Sequence, residues 1–382
     1  MSPIKKYILE IIRLNTWNDF IKNTIDEINK QLHTDIKYEI LFQGILRYFT
    51  YVIGVTPLTS YVFFPKTKSL KNNKNILITE LTFYQKLNTD EMKTVMKIII
   101  KNNRAYRKII KDKIKNTDIP NNIKIEISES GDKISLKILN KEYPNEFTIS
   151  KNHYQRLKHI YNRDQSQSDL WICILLLRYR YYGKDKESIC LCVDILYDFL
   201  KEESINNTAL EAFAGSLNSN LANYCSLFYD VEKNFGSKGS FFTLDLSKCE
   251  YKIFAVNPPY IAEIIRKTFE KISNILSMCD DVTVFITVPD WRSISEYDAD
   301  IKDQINIGEK KIKRHETEYY GYSLLKNSKY FRYIFSIGDF SYYNFFTDSK
   351  RSINIPTLIM LLSTKKNIMV EKLKTYILNK NK

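Results

Sequence analysis

The stretch "YKIFAVNPPYIAEIIRKTF", Tyr251 to Phe269, decides how the second half of this chain is read. An apolar run, Ile253 to Val256, leads into Asn257-Pro258-Pro259-Tyr260, and an amphipathic pattern follows. Two consecutive prolines cannot continue a strand ladder, because proline has no N–H to donate. The pattern therefore predicts a strand, an abrupt turn and a helix. Working outward, other apolar runs alternate with helical patterns. They are "LEAFAG" (Leu210 to Gly215), a helix near Ser219 to Phe228, "FFTLDL" (Phe241 to Leu246), the helix after Tyr260, and "DVTVFITVP" (Asp281 to Pro289). Strands alternating with helices imply an α/β domain with a parallel sheet and crossovers. In such sheets ligands sit outside the carboxyl ends of the strands. Asn257 and Gly215 both fall there.

The first part of the chain has a different texture. Residues 1 to about 55 carry helical patterns with few breakers, and Thr89-Asp90 reads as a helix start. In "NIKIEISESGDKISLKIL" (Asn122 to Leu139) apolar residues alternate on both sides of Ser130-Gly131-Asp132, which predicts a hairpin. Ser150 is a candidate N-cap, and "SDLWICILLLRYRYY" (Ser168 to Tyr182) is a strongly apolar core helix. The expected organisation is a mainly helical domain with a β-hairpin over residues 1–150, whose basic runs make it a candidate for RNA or cap binding, followed by an α/β domain over 151–382.

Composition narrows the class. Hydrophobic residues make up 44% and charged residues 27%, which suits a globular chain with a sizeable core. No run of apolar residues is long enough to span a bilayer. The N-terminal apolar run is broken by Glu10 and Arg13 and does not read as a signal peptide. The expected location is intracellular, in nucleus or cytoplasm, or in host cytoplasm for a viral protein. Six cysteines and four histidines form no zinc-ligand spacing, so no metal is expected and the thiols read as reduced. The net charge of +14 attracts polyanions. It also reflects the Lys, Ile and Asn richness that an AT-rich genome imposes. Basic runs at Lys66 to Lys74, Lys101 to Lys115 and Lys310 to Arg314, with 27 tyrosines and 21 phenylalanines, suit a nucleic-acid partner.

The Asn-Pro-Pro-Tyr turn suits one chemistry in particular. The exocyclic amine of adenine is a poor nucleophile because its lone pair is delocalised into the ring. An asparagine side-chain oxygen can accept one amine hydrogen, and a backbone carbonyl left free by the proline turn can accept the other. Two acceptors favouring a pyramidal amine stabilise the transition state more than the flat ground state. Asn257 and the carbonyl of Pro258 fit these roles, Pro259 stiffens the turn, and Tyr260 offers a stacking face. As a four-residue pattern the turn also recurs as a plain strand end; its position in the strand-turn-helix order raises its value. Gly215 alone is a weak signal. "KNFGSKG" (Lys233 to Gly239) is either an anion nest carrying Lys238 or a simple glycine turn. Trp291, Arg292 and Arg314 are candidates for base, cap or phosphate contact, with core or solvated surface as the plainer alternative. His315 reads as structural, and "DFSYYNFF" (Asp339 to Phe346) reads as core or as a groove lining.

Taken together, "FAGSLN" (Phe213 to Asn218), "YCSLF" (Tyr224 to Phe228), "FGSKG" (Phe235 to Gly239), "LDL" (Leu244 to Leu246), "NPPY", "VPDWR" (Val288 to Arg292) and "KRH" (Lys313 to His315) resemble the phosphorylated-CTD-interacting factor family. The resemblance covers roughly residues 150 to 365. It implies a Rossmann-like class I methyltransferase sheet joined to an N-terminal, mainly helical domain. It implies S-adenosyl-L-methionine as donor and the 2′-O-methyladenosine next to the mRNA cap as substrate, methylated on N6. By motif position it implies donor contacts from Phe213, Ala214, Gly215, Ser216, Asn218 and Asp245. Catalysis falls to Asn257, Pro258, Pro259 and Tyr260, and substrate contacts to Lys238, Trp291, Arg292 and Arg314.

The chain departs from the family in three places. Tyr260 stands where Phe is usual. Gly215-Ser216 stands where animal members carry Ser-Pro. The tryptophans, Trp17, Trp171 and Trp291, show no WW-domain spacing, so docking to the RNA polymerase tail is not expected and a viral or protist member is. A DNA adenine N6-methyltransferase is the runner-up, because the same motif serves both substrates. A catalytically inactive cap- or RNA-binding homologue is the third reading.

Overall fold

The computed structural model describes residues 2–56, 63–74, 76–77, 87–182, 189–191, 197–200, 208–259, 261–289, 305–307, 310–312, 324–337, 340–344, 350–353, 357–365 and 368–380. Two compact units divide the chain, Met1–Ser188 and Ile189–Lys382. The division falls after Ser188 and not after residue 150. The reason is packing: the segment just beyond residue 150 builds the core of the first unit, as follows.

In the first unit α1 (Pro3–Leu32) starts on Ser2, whose hydroxyl accepts the N–H of Lys5, with Pro3 in the first turn. It is followed by α2 (Tyr38–Val55), α3 (Thr67–Asn72) and α4 (Thr89–Lys115). Asn88 and Glu91 close a reciprocal capping box on α4, one residue before the expected start. The predicted hairpin is β1 (Lys124–Ser130) and β2 (Lys133–Leu139), antiparallel, with Gly131 at φ +60° in its turn. A third strand, β3 (Asn145–Ser150), pairs with β2. Its Phe147 and Ile149 face the core, and its alternation is too short to stand out in sequence. Ser150 then caps α5 (Lys151–Ile160) as expected, and α6 (Ser168–Tyr179) follows.

Helix α6 is apolar on all sides because it is buried on all sides, and it packs on α1. One buried charge cluster ties the two helices. Arg178 of α6 donates to both carboxylate oxygens of Glu10 at 2.7 Å, Lys6 lies 3.3 Å from Glu10, and Arg13 also pairs with it. Burial pushes the Glu10 carboxyl up, but the charges of Arg178, Arg13 and Lys6 outweigh burial and hold it down at about 2. Trp17 is 1% exposed and packs on Phe20 and Phe49.

The second unit is mixed α/β. Its elements are β4 (Ile189–Leu191), β5 (Ala209–Glu211), the short α7 (Tyr229–Glu232), β6 (Ile253–Val256), α8 (Ala262–Met278), β7 (Thr283–Pro289), β8 (Ile305–Ile307), β9 (Lys310–Ile312), β10 (Phe331–Ile337), β11 (Phe340–Asn344), β12 (Lys350–Ile353), β13 (Thr357–Ser363) and α9 (Ile368–Lys380). The main sheet has five strands in the order β10-β13-β7-β6-β5. Strands β5, β6 and β7 are parallel, and β13 is antiparallel to both β7 and β10. Strands β4, β11 and β12 form a separate small sheet, and β8 pairs with β9.

Both faces of the main sheet are covered, as parallel strands require. On one face Leu210, Phe254, Val256, Val284 and Ile286 pack with Ile265, Phe269 and Ile272 of α8. On the other, Ala209, Ile253, Ala255 and Phe285 pack with Val370 and Leu373 of α9. Among the described residues no helix is long and apolar enough to cross a membrane.

Two sequence expectations fail here. "FFTLDL" is not a strand; its residues form turns, with Thr243 and Leu244 donating back to the carbonyl of Ser240. No helix runs from Ser219 to Phe228. The carboxylate of Glu211 takes the N–H groups of Asn220 (2.8 Å) and Leu221 (3.2 Å), and the chain then bridges β5 in extended form at Tyr224. The cysteines also differ from expectation. Cys173 and Cys225 are free and buried, but Cys249 and Cys279 form a disulfide. In the parallel register Ile253 lies beside Thr283, and each cysteine stands the same distance before its strand, so the sheet brings the two together.

Candidate active site

The site is built where β5 and β6 end. Glu211 lies beside Ala255 in parallel register, and the N–H of Ala212 donates to the carbonyl of Ala255 at 2.8 Å. The two chains thus leave the sheet side by side, one as Phe213-Ala214-Gly215 and the other as Asn257-Pro258-Pro259. On its other side β5 is bridged by the Asn223–Cys225 segment, through Glu211 N–H to Asn223 and Cys225 N–H to Glu211. From β5 the structure therefore continues in both directions, the topology at whose carboxyl end ligands sit in α/β sheets.

The turn after β6 has the features the chemistry needs. Asn257 is half-buried, Pro258 is buried and Pro259 is exposed. Among the described residues nothing hydrogen-bonds the Asn257 carboxamide or the Pro258 carbonyl. The next carbonyl, of Pro259, is engaged by the N–H of Ile261 at 2.7 Å. Helix α8 begins at once, with Ile264, Ile265 and Thr268 buried, so the turn is anchored on both sides.

The loop after β5 is clasped from within. Gly215 N–H donates to Asn218 Oδ1 (2.6 Å), and the Gly215 carbonyl accepts from the N–H groups of Asn218 (3.0 Å) and Ser219 (2.8 Å). Ser216 is fully buried; its N–H donates to Glu232 Oε1 (2.8 Å) and its hydroxyl meets the Tyr224 hydroxyl (2.9 Å). Ser216 and Asn218 therefore shape the loop with the polar groups expected to hold a donor. The Ala214 N–H is likewise engaged by the Cys225 carbonyl (2.9 Å). The carbonyls of Phe213 and Ala214 accept no hydrogen bond from a described residue. The half-buried Phe213 ring stands edge-on to Phe241 and Phe242. Lys271 of α8 backs that cluster, over the Phe241 ring at 5.1 Å and donating to the Leu244 carbonyl at 2.8 Å. Burial pushes the Lys271 ammonium pKa down.

Two residues missed in sequence hold the loop. Buried Glu211 receives the Tyr197 hydroxyl (2.6 Å) besides the amides of Asn220 and Leu221. Buried Glu232 receives the amides of Ser216 and Phe228 (3.2 Å). A carboxylate inside an apolar strand start, as in "LEAFAG", is the signal that could have flagged Glu211.

The remaining candidates lie elsewhere or differ in role. Asp245 is exposed and accepts the Ser247 N–H at 3.0 Å, which holds its carboxyl below the usual range. The adjoining Leu246 carbonyl lies 3.8 Å from Cys279 Sγ, just past the end of α8, and the Leu244 carbonyl accepts from Lys271. Of the two readings of Lys233 to Gly239, the anion nest is not the one formed. Both glycines adopt positive φ, but the amides of Gly236, Ser237, Lys238 and Gly239 all donate to protein acceptors. The glycine turn is what they make, and the Lys238 side chain is exposed. Tyr260, Trp291, Arg292, Arg314 and His315 lie outside the described residues.

Fold and site together define a mixed α/β protein with two candidate loops side by side at the carboxyl edge of its parallel strands. Residues 151–321 match the family described as "Phosphorylated CTD interacting factor 1 WW domain", a match that supports the phosphorylated-CTD-interacting factor family. The match contains both loops. Despite the wording of that description, Trp171 within it lies on α6, a buried helix.

Proposed function

We propose that the protein is an mRNA (2′-O-methyladenosine-N6-)-methyltransferase using S-adenosyl-L-methionine, and that the second unit is a Rossmann-like methyltransferase domain. The observation that carries this reading is the pair of acceptors unengaged among the described residues, the Asn257 carboxamide and the Pro258 carbonyl, beside the loop of Phe213 to Gly215. The family match over residues 151–321 supports it, as does the insertion of the antiparallel β13 between β7 and β10.

The donor's chemistry suits the residues present. A sulfonium is a cation, and an aromatic ring and unengaged carbonyls are favourable neighbours for cations. Phe213 supplies the ring and, with Ala214, the carbonyls. The loop amides at Ala214, Gly215 and Ser216 are all engaged, so a donor carboxylate must find its partners elsewhere. When bound, S-adenosyl-L-methionine supplies an electrophilic methyl group. The chain's own part is positioning. Asn257 and Pro258 accept the two amine hydrogens of the adenine and favour its pyramidal form. Pro259 limits the turn's freedom, and Tyr260 gives the base a face to stack on. No side-chain base is required, because the methylated amine releases its proton to water.

The test is a labelled-donor assay on three substrates. Label should enter the adenine of capped RNA beginning with 2′-O-methyladenosine. Equal labelling of uncapped RNA or of DNA would overturn the cap assignment and leave the N6 chemistry standing. A 5′-terminal nucleotide can enter the site freely, whereas a duplex would have to flip its base out.

A further inference from the structure

The first unit carries a cleft that the proposed chemistry does not use. A cavity of about 500 Å³ opens between α3 and α4, lined by Lys71, Lys74, Lys97, Lys101 and Arg104. Met96 and Ile100 also line it. Lys97, Lys101 and Arg104 recur at helical spacing on one face of α4, a stripe of about 10 Å at about 1.5 Å per residue. All five cationic residues are exposed. Lys101 reaches Glu27 at 2.5 Å. Lys71, Lys74, Lys97 and Arg104 make no ion pair among the described residues. From Met92 to Lys111 helix α4 contains no carboxylate at all.

A lysine-rich surface can be mere solvation, but two features distinguish this one. Its cations face one another across a concavity, where they repel in the absence of an anion. Its walls are also pinned. The α3 end of the cleft is held by the Tyr48 hydroxyl donating to the Leu70 carbonyl. The approach to α3 is held by buried Asn103, which donates to the Pro65 carbonyl at 3.0 Å, and by Arg107, which donates to the Phe64 carbonyl. Opposed charges are thus kept in place by bonds from α2 and α4.

We propose that this cleft binds the phosphodiester backbone of single-stranded RNA, a reading that rests on the RNA substrate proposed above. A concave site with cations on two walls suits one strand lying between them. Among the described residues no aromatic side chain lines it, so they grip phosphates without reading bases.

The test uses the full chain and a short, fluorescent, uncapped single-stranded RNA, with affinity read by polarisation over a range of salt. Lys97→Glu with Arg104→Glu should weaken binding by about tenfold or more and lower the salt slope by about 1.4, at about 0.7 per lost phosphate contact. Lys124→Glu with Lys133→Glu changes net charge equally on exposed hairpin positions and should keep most of the affinity. Equal loss in both variants, no loss in the first, no binding by the unaltered chain, or tighter binding of duplex RNA would each overturn the proposal. Circular dichroism checks that the variants fold. Donor binding by calorimetry is read separately: its absence would sink the methyltransferase reading while a cleft-specific loss of RNA would still uphold the cleft.

Discussion

Asn257 presents an amide whose oxygen has no partner among the described residues, so its removal should cost little in folding and much in chemistry. Asn257→Ala should lower the methylation rate by about 10² to 10³, the loss typical of one transition-state hydrogen-bond donor or acceptor. Calorimetric donor binding should be largely kept; loss of donor binding would give the residue another role. Glu232 is the opposite case, fully buried and bonded to the amides of Ser216 and Phe228. Glu232→Ala leaves those amides unsatisfied and should destabilise the second unit by about 1–3 kcal/mol per orphaned group, measured by urea unfolding, and weaken donor binding with it.

Glu10 belongs to the same scale. Glu10→Gln leaves Arg178 buried beside a neutral partner and should cost about 3–5 kcal/mol. Because the folded-state pKa is depressed, the stabilisation is complete above the ordinary carboxylate value of 4.5 and is lost as pH falls through about 2. The variant should therefore lose the acid-induced part of its unfolding over that window, read by fluorescence against pH.

Elements explain what was legible and what was not. The strand-turn-helix of "KIFAVNPPY" and the α8 pattern were legible because local periodicity and proline chemistry set them. So were α4, the β1–β2 hairpin and the capping role of Ser150. The helix expected from Ser219 to Phe228 was not, because Glu211, an acid within β5, draws those amides into an extended bridge. The disulfide was invisible as well, since a separation of 30 residues says nothing until β6 and β7 lie side by side. Closing a loop of that length should add about 3–4 kcal/mol by the chain-entropy relation. Cys249→Ser should accordingly lower the melting temperature of the oxidised protein, and a reductant should remove the difference between the two. An unchanged difference under reductant would show that the serine acts through packing.

At the scale of the whole molecule, each unit has a core of its own. The first combines the Trp17 cluster with the Glu10–Arg178 pair, and the second wraps its sheet with α8 and α9. A fragment spanning Met1–Ser188 should therefore unfold in a single cooperative urea transition. A fragment ended at residue 150 should not, because it lacks α5 and α6 and leaves Glu10 without Arg178.

The sequence by itself determined the α/β character of the second unit, the helices and hairpin of the first, and the Asn-Pro-Pro turn, because periodicity, capping and proline restriction act over a few residues. Tertiary structure decided the rest. It placed Phe213 and Asn257 on one sheet edge. It turned Ser216 and Asn218 into clasps for the loop, and it gathered lysines from two helices into one cleft. These are contacts between residues far apart in the chain, and they follow from strand register and buried hydrogen bonds that no local pattern encodes.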